Sequence, residues 1–355
     1  MTERFFVAGG AGFIGINFVK HITSAYPDAE VLVADLLTYA AYPQALEPEV
    51  EAGRVRLVKA DIRDEAAMRS LLEEFNPHYV VNFAAESHVD RSITGPSVFV
   101  STNITGAQTL MEECRRLWAL PTGGFEPARR FLQISTDEVY GSLSRDFDEP
   151  QPLRCADAVA GVIAGRTDMQ TFGREFFTES TPLSPCSPYS ASKAAADMLV
   201  GAYCHTYGFP GLVTRCSNNY GPYQHPEKLI PLMVGNARAG KKLPVYGRGL
   251  NVRDWLYVGD HVRGLDMVLR HGEPGRVYNI GGFNEQVNID IVNKIVDMVP
   301  GARKEQIEYV EDRPGHDMRY AIDPTRIATE LGWVPQTPFS VGLEMTVSHI
   351  LQHGR

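Results

Sequence analysis

The chain lacks any apolar run approaching the ~20 residues that a bilayer-spanning helix requires, so no membrane partner is expected. It also lacks an excess of positive charge. Its 34 Lys and Arg face 43 Asp and Glu, a formal net charge of -9, which argues against nucleic acid as a general partner. Cysteine is scarce: Cys114, Cys155, Cys186, Cys204 and Cys216 are an odd number, and no two form a Cys-x-x-Cys pair. That usage fits a reduced setting, and with no signal-like start to the chain the expected location is cytoplasmic. Internal repeats and low-complexity tracts are absent as well.

What remains is a chain built for burial. Hydrophobic residues make up 44% of 355 positions, enough for one large domain or two modest ones. Short apolar runs at 4–8 (RFFVA), 30–34 (EVLVA), 54–58 (RVRLV), 79–84 (YVVNFA) and 128–135 (ARRFLQIS) read as strands with helical stretches between them. This alternation predicts an α/β fold, a Rossmann-like doubly wound parallel sheet with ligands at the carboxyl ends of its strands. Beyond about residue 220 the pattern breaks at Gly221-Pro222, Gly247 with Gly249, and Gly281-Gly282. The expected division is a first domain over 1–220 and a smaller C-terminal α/β substrate-binding lobe over 221–355, partly interleaved with it. Residues 142–178 are long for a connection. Such a length allows a lid, a dimer contact or a neutral excursion, and the last is the preferred reading.

Gly9, Gly10, Gly12 and Gly15 lie in GGAGFIG, between an apolar strand and a helix whose Phe13, Ile14, Phe18 and Ile22 share one face. Glycine lets the backbone approach a pyrophosphate, and the helix N-terminus attracts it. Asp35 ends the second strand, where a carboxylate can bind an adenosine ribose and would repel a 2′-phosphate. NAD is therefore the expected cofactor. Asp61 and Ile62, after the third strand, could face the adenine.

Tyr189 and Lys193 form Tyr-x-x-x-Lys just after Ser187-Pro188, a helix start, so the two share a helix face. A lysine charge there lowers the pKa of a tyrosine that would otherwise titrate near ~10, making it a usable base. Asp137 and Glu138 follow a strand in STDEVYG. Two carboxyls in one pocket would supply an acid and a base for removing water. Neighbours in a regular strand point to opposite faces, so both reach one pocket only if the backbone leaves the strand near Thr136. The plain alternative is one structural carboxylate and one solvated one.

Together these segments resemble the extended short-chain dehydrogenase/reductase family, and within it the nucleotide-sugar dehydratases. The resemblance runs through GGAGFIG, DLLTYA (35–40), FAAESHVDRSI (83–93), STDEVYG, SPYSASKAAAD (187–197), RCSNNYGPYQHPEKLIPL (215–232), LNVRDW (250–255), YNIGG (278–282) and DRPGHDMRYAID (312–323). It implies oxidation of a sugar at carbon 4, loss of water across carbons 5 and 6, and reduction at carbon 6. Tyr189 would be the base at the 4-hydroxyl, helped by Thr136 and Lys193. Glu138 would take the proton from carbon 5, and Asp137 would protonate the departing hydroxyl. Asp137 must carry a proton to do so, which a dry pocket and a neighbouring carboxylate would favour over the ordinary ~3.9.

By the same resemblance Phe13, Ile14, Asp35, Leu36, Leu37, Thr38, Asp61, Ile62, Ala84, Ala85, Thr102 and Asn219 line the dinucleotide. Ser87, Thr136 and Asn218 touch the sugar. Lys228, Leu229, Arg253, Asn288, Arg313 and His316 hold a nucleoside diphosphate, with Pro244 and Tyr246 near the base. The expected substrate is a nucleoside-diphosphate sugar, dTDP-glucose first. A UDP-sugar dehydratase, a 4-epimerase and a non-catalytic dinucleotide sensor are the other readings. Helices around 97–118 and 188–207 would pair two subunits into a homodimer. Ala41-Tyr42 replaces the family's usual Gly-Asn, and Ala8 replaces a threonine.

Overall fold

The first strands are buried on both faces, which explains why they read as continuous apolar runs rather than alternating ones. The computed structural model describes residues 2–153, 169–312 and 316–354. In it β1 (Arg4–Ala8), β2 (Glu30–Asp35), β3 (Val55–Lys59), β4 (Tyr79–Asn82) and β5 (Arg130–Thr136) lie in the order β5-β4-β1-β2-β3, each pair parallel. Strands Gly211–Cys216 and Val277–Ile280 extend the sheet to seven. The chain steps from β1 outward to β3, then returns to β4 on the other side of β1. Ala8 is level with both Ala34 and Asn82, so the reversal opens a crevice at the carboxyl ends of β1 and β4. The doubly wound parallel sheet expected from the sequence is the observed one.

The chain divides into two compact units. The first contains Met1–Val139, Leu183–Arg215 and Val262–Tyr278. Phe6, Leu32 and Phe131 from the sheet and Leu110, Trp118 and Phe209 beside it form part of its core. Helix α1 (Phe13–Ala25) follows β1 and buries Ile16, Phe18, Val19 and Ile22, the 3.6-residue stripe seen in the sequence.

The second unit contains Tyr140–Pro182, Cys216–His261 and Asn279–Arg355. Its strand Val252–Tyr257 pairs with Glu285–Val287, Arg319–Tyr320 and Asn218–Tyr220, and a separate parallel pair joins Leu243–Tyr246 to Ile307–Val310. Ile230, Val234, Trp255, Ile291, Ile295 and Phe339 build its core.

Residues 154–168, the middle of the long 142–178 stretch, lie outside the described residues. The flanks of that stretch are part of the second unit's framework. Gln151–Pro152 and Gln170–Thr171 pair antiparallel, and Phe172 packs with Val252 and Val287. Buried Glu285 accepts from Thr171 Oγ1 at 2.7 Å and Phe172 N at 2.9 Å. Arg319, wholly buried, grips Glu285 at 2.7 and 2.8 Å and donates to the Glu175 carbonyl at 2.9 Å. A Cβ on Gly173 would meet the Arg319 guanidinium at 2.5 Å, so the glycine makes room for the cation.

Candidate functional site

The glycine turn is a close approach of three backbone segments. Gly9 has a φ of 73°, and a Cβ there would lie 2.5 Å from Ala84 N, at the exit of β4. A Cβ on Gly15 would lie 2.5 Å from the Gly9 carbonyl, so glycine also lets α1 close against the turn. Gly12 caps α1 in an extended conformation with no side-chain bond and no acidic residue in the first turn. The first N–H groups of α1, with Phe13 and Ile14 at its start, are thus left to an external acceptor, the arrangement that binds pyrophosphate. This cradle fits a dinucleotide.

Asp35 proves to be a structural anchor as well as a ribose candidate. Its Oδ2 accepts from Ala11 N at 3.0 Å and its Oδ1 from Leu37 N at 2.8 Å. Burial raises its pKa, and those two bonds oppose the rise. Leu37 is left-handed, with a φ of 57°, which turns the Leu36–Thr38 loop back so that Tyr42 N donates to the Ala11 carbonyl at 2.8 Å. Asp61 is paired with Arg63 at 2.6 Å, which holds its carboxyl below the usual range. Ile62 is buried, and a Cβ on Gly106 would meet its side chain at 2.7 Å.

Thr102 lies in a π-helical segment, Val100–Gly106, a form concentrated at functional sites. The buried neighbour Asn103 accepts from Glu86 N at 2.8 Å and donates to the Glu86 carbonyl at 2.9 Å and to Ser192 Oγ at 2.8 Å. One amide side chain therefore joins the loop carrying Ala84, Ala85 and Ser87 to the helix carrying Tyr189 and Lys193. No sequence signal distinguished Asn103.

β5 ends at Thr136, and Asp137–Tyr140 is a 3₁₀ turn. The backbone does leave the strand where the acid–base reading required it. Successive side chains on such a turn diverge by about 120° rather than the 180° of a strand. Thr136 Oγ1 donates to Asp137 Oδ1 and accepts from Glu138 N, each at 3.3 Å. Asp137 is buried at 1% exposure, and Glu138 is half-buried.

The Tyr-Lys helix spans Pro188–Tyr207 and starts as expected, with Pro188 in its first turn. Ser187 and Ser190 cap each other reciprocally, each backbone N–H donating to the other's hydroxyl at 3.0 Å. Tyr189 and Lys193 are both buried, the ring of Phe99 stands edge-on to Tyr189 at 6.4 Å, and Lys193 Nζ donates to the Ile134 carbonyl at 2.5 Å. Lys193 is thereby held against β5 two residues before Thr136.

The candidates for the nucleotide end lie in the second unit. Asn218 and Asn219 sit on the strand paired with Trp255 and Leu256, and the Asn219 carbonyl accepts from Gln224 Nε2 at 2.9 Å. Lys228 is the N-cap of helix Leu229–Arg238, and Asn288 opens helix Asn288–Met298. Pro244 and exposed Tyr246 lie on one strand, and the Tyr246 ring meets His316 edge-on at 6.0 Å. His316 Nδ1 is paired with Asp312 Oδ1 at 2.6 Å. Arg253 is buried over the Tyr320 ring at 4.2 Å and donates to the Asp317 carbonyl at 2.9 Å, which fixes its guanidinium on the segment after His316. Arg313 lies outside the described residues.

The model of the NAD dependent epimerase/dehydratase family matches residues 5–281. The chain belongs to that family. It is 48% identical over 356 residues to the dTDP-glucose 4,6-dehydratase 1 of Escherichia coli K12, covering 99% of this chain and 93% of the relative. It is 47% identical over 354 residues to the dTDP-glucose 4,6-dehydratase of Salmonella typhimurium LT2, covering 98% and 92%. Among solved structures, DesIV, a dTDP-glucose 4,6-dehydratase from Streptomyces venezuelae with NAD and TYD bound, superposes with a TM-score of 0.85 at 42% identity, over 99% of this chain and 97% of that one. As a member of the epimerase/dehydratase family, the chain carries the glycine turn, the carboxyl pair and the Tyr-Lys helix within the matched span. No helix among the described residues is long and apolar enough to cross a membrane.

Proposed function

We infer that this chain is a dTDP-glucose 4,6-dehydratase. It would convert dTDP-glucose to dTDP-4-keto-6-deoxyglucose with NAD and without net redox change. The observation that carries this reading is the Asp137–Glu138 turn directly after Thr136, in a chain similar along almost its whole length to dehydratases of that name. An epimerase needs the Tyr-Lys pair but no such carboxyls.

Bound NAD would take up the hydride of carbon 4 and give it back at carbon 6. Gly9, Gly12, Gly15, Phe13 and Ile14 would hold its pyrophosphate, and Asp35 to Thr38, Asp61, Ile62, Ala84, Ala85, Thr102 and Asn219 its remaining length. Tyr189 takes the proton of the 4-hydroxyl, with Lys193 favouring the phenolate by its charge. The ketone formed at carbon 4 acidifies the hydrogen on carbon 5. Glu138 removes that proton, Asp137 donates one to the 6-hydroxyl, and water leaves. Glu138 then returns its proton to carbon 5. Ser87, Thr136 and Asn218 would orient the sugar. Lys228, Leu229, Pro244, Tyr246, Arg253, Asn288, Arg313 and His316 would hold the nucleoside diphosphate.

We also assign a homodimer to this protein. Val98, Val100 and Met198, on the segments expected to pair two subunits, are 42%, 51% and 67% exposed. Large apolar side chains exposed this far fit a face that another subunit covers. Sedimentation should show a dimer, and Met198→Glu should weaken it.

The functional test is turnover of dTDP-glucose and UDP-glucose offered separately. Conversion of dTDP-glucose and preferential binding of dTDP over UDP support the reading. Turnover of neither sugar nucleotide ends it. Wild-type activity in Asp137→Asn would favour a 4-epimerase instead.

A further inference from the structure

The helix that carries Tyr189 and Lys193 carries a third polar residue on the same stripe. Asp197 follows Lys193 by four residues and Tyr189 by eight, and it is 5% exposed. Its Oδ2 is a meeting point for two other elements. Ser135 Oγ, next to Thr136 on β5, donates to it at 3.0 Å. Arg215 Nε, from strand Gly211–Cys216, donates to it at 2.8 Å. Ser135 and Arg215 are also buried. A buried ion pair adds little net stability, so one placed beside reacting groups calls for another reason.

We propose that Asp197 is the positioning residue of the site, tying the strand end before Asp137 and Glu138 to the Tyr189–Lys193 helix and balancing the charge of Lys193. This rests on the reading of Tyr189 as the base. Asp197 is ion-paired with Arg215, and Lys193 lies one turn away on the same helix. Burial holds the Asp197 carboxyl above its ordinary range, with Arg215, Ser135 and Lys193 opposing the rise. One carboxylate serves two cations. Without it the cations would pull Tyr189 toward phenolate at too low a pH, and the Thr136 end of β5 would lose its tie to the helix. Asp137 and Glu138, on the turn after β5, are left unchanged by the test.

Asp197→Asn separates these roles, because an amide oxygen can still accept from Ser135 or Arg215. Eight helical residues span about 12 Å, and at an effective dielectric near 20 the loss of one negative charge at that distance is worth roughly one pH unit on Tyr189. Partial screening makes half to one unit downward the expected shift. It is read by tyrosinate absorbance of the purified protein against a Tyr189→Phe background, which needs no substrate. A failure of the dehydratase reading therefore leaves this measurement standing. A folded Asp197→Asn with Tyr189 titrating at the wild-type pH overturns the charge role.

Ser135→Ala tests the tie separately, and carries the proposal if Asp197→Asn does not fold. It should lower kcat several-fold in an assay where the wild type turns over, with KM and the Tyr189 titration unmoved. Wild-type kcat in Ser135→Ala overturns the positioning role.

Discussion

Gly9→Ala is the sharpest perturbation of the cofactor cradle. An L-residue at a φ of 73° costs about 1–2 kcal/mol. The added Cβ would also sit 2.5 Å from Ala84 N and 2.8 Å from Phe83 C. That backbone cannot easily yield, because Phe83 N donates to the Ala8 carbonyl at 2.8 Å and Ala84 N to Asn82 Oδ1 at 3.1 Å. Overpacking against such a wall costs a further ~1–3 kcal/mol. The total of about 2–5 kcal/mol lowers Tm by roughly 5–15 °C for a unit of this size. Relief by moving the turn away from β4 would dismantle the proposed pyrophosphate site. Calorimetry and the NAD content of the purified protein are the assays. Gly12→Ala is the control: its φ is -82° and its Cβ would only touch the Gly9 carbonyl at 3.4 Å, so the apo protein should melt within about 2 °C of wild type. A Gly9→Ala protein with wild-type Tm and full NAD content would refute the argument.

Other outcomes follow from the site and the framework. Glu138→Gln should lose about 100-fold or more in turnover and accumulate reduced-cofactor absorbance when mixed with dTDP-glucose, because oxidation in the proposed mechanism does not use that carboxylate. Arg319→Met leaves buried Glu285 without its cation and should cost about 3–5 kcal/mol in denaturant unfolding, whereas Arg319→Met with Glu285→Gln should recover part of that loss. His261, fully buried and with neither ring nitrogen hydrogen-bonded among the described residues, has its pKa pushed down to about 3 by burial. Its unfolded form binds a proton near 6.5, so its contribution is fully present above that pH and is lost as pH falls from about 6.5 toward about 3. His261→Leu should flatten this part of the acid-stability curve, as read by urea unfolding across that range.

The fold was legible because each early strand is an apolar run and each turn carries glycine or a capping residue. The Tyr-Lys helix was legible because Ser187 and Pro188 mark its start. The geometry of Asp137 and Glu138 was not, since spacing alone does not reveal where a strand gives way to a 3₁₀ turn. Asn103 was hidden for a related reason: its bonds depend on a π-helical segment that has no sequence signature. Asp197 stood at a visible i+4 spacing from Lys193, but its partners Ser135 and Arg215 come from separate strands that only the sheet order brings together. The flanks of 142–178 looked irregular because a buried ion pair and a two-residue strand pair hold them, not a periodic apolar face.

The most direct test of the central claim is the mass of the product after mixing the purified protein with dTDP-glucose and no added NAD. Dehydration predicts a sugar nucleotide lighter by one water, carrying a ketone at carbon 4 and a methyl group at carbon 6. A product of unchanged mass, or none at all from folded protein that retains its cofactor, would contradict it.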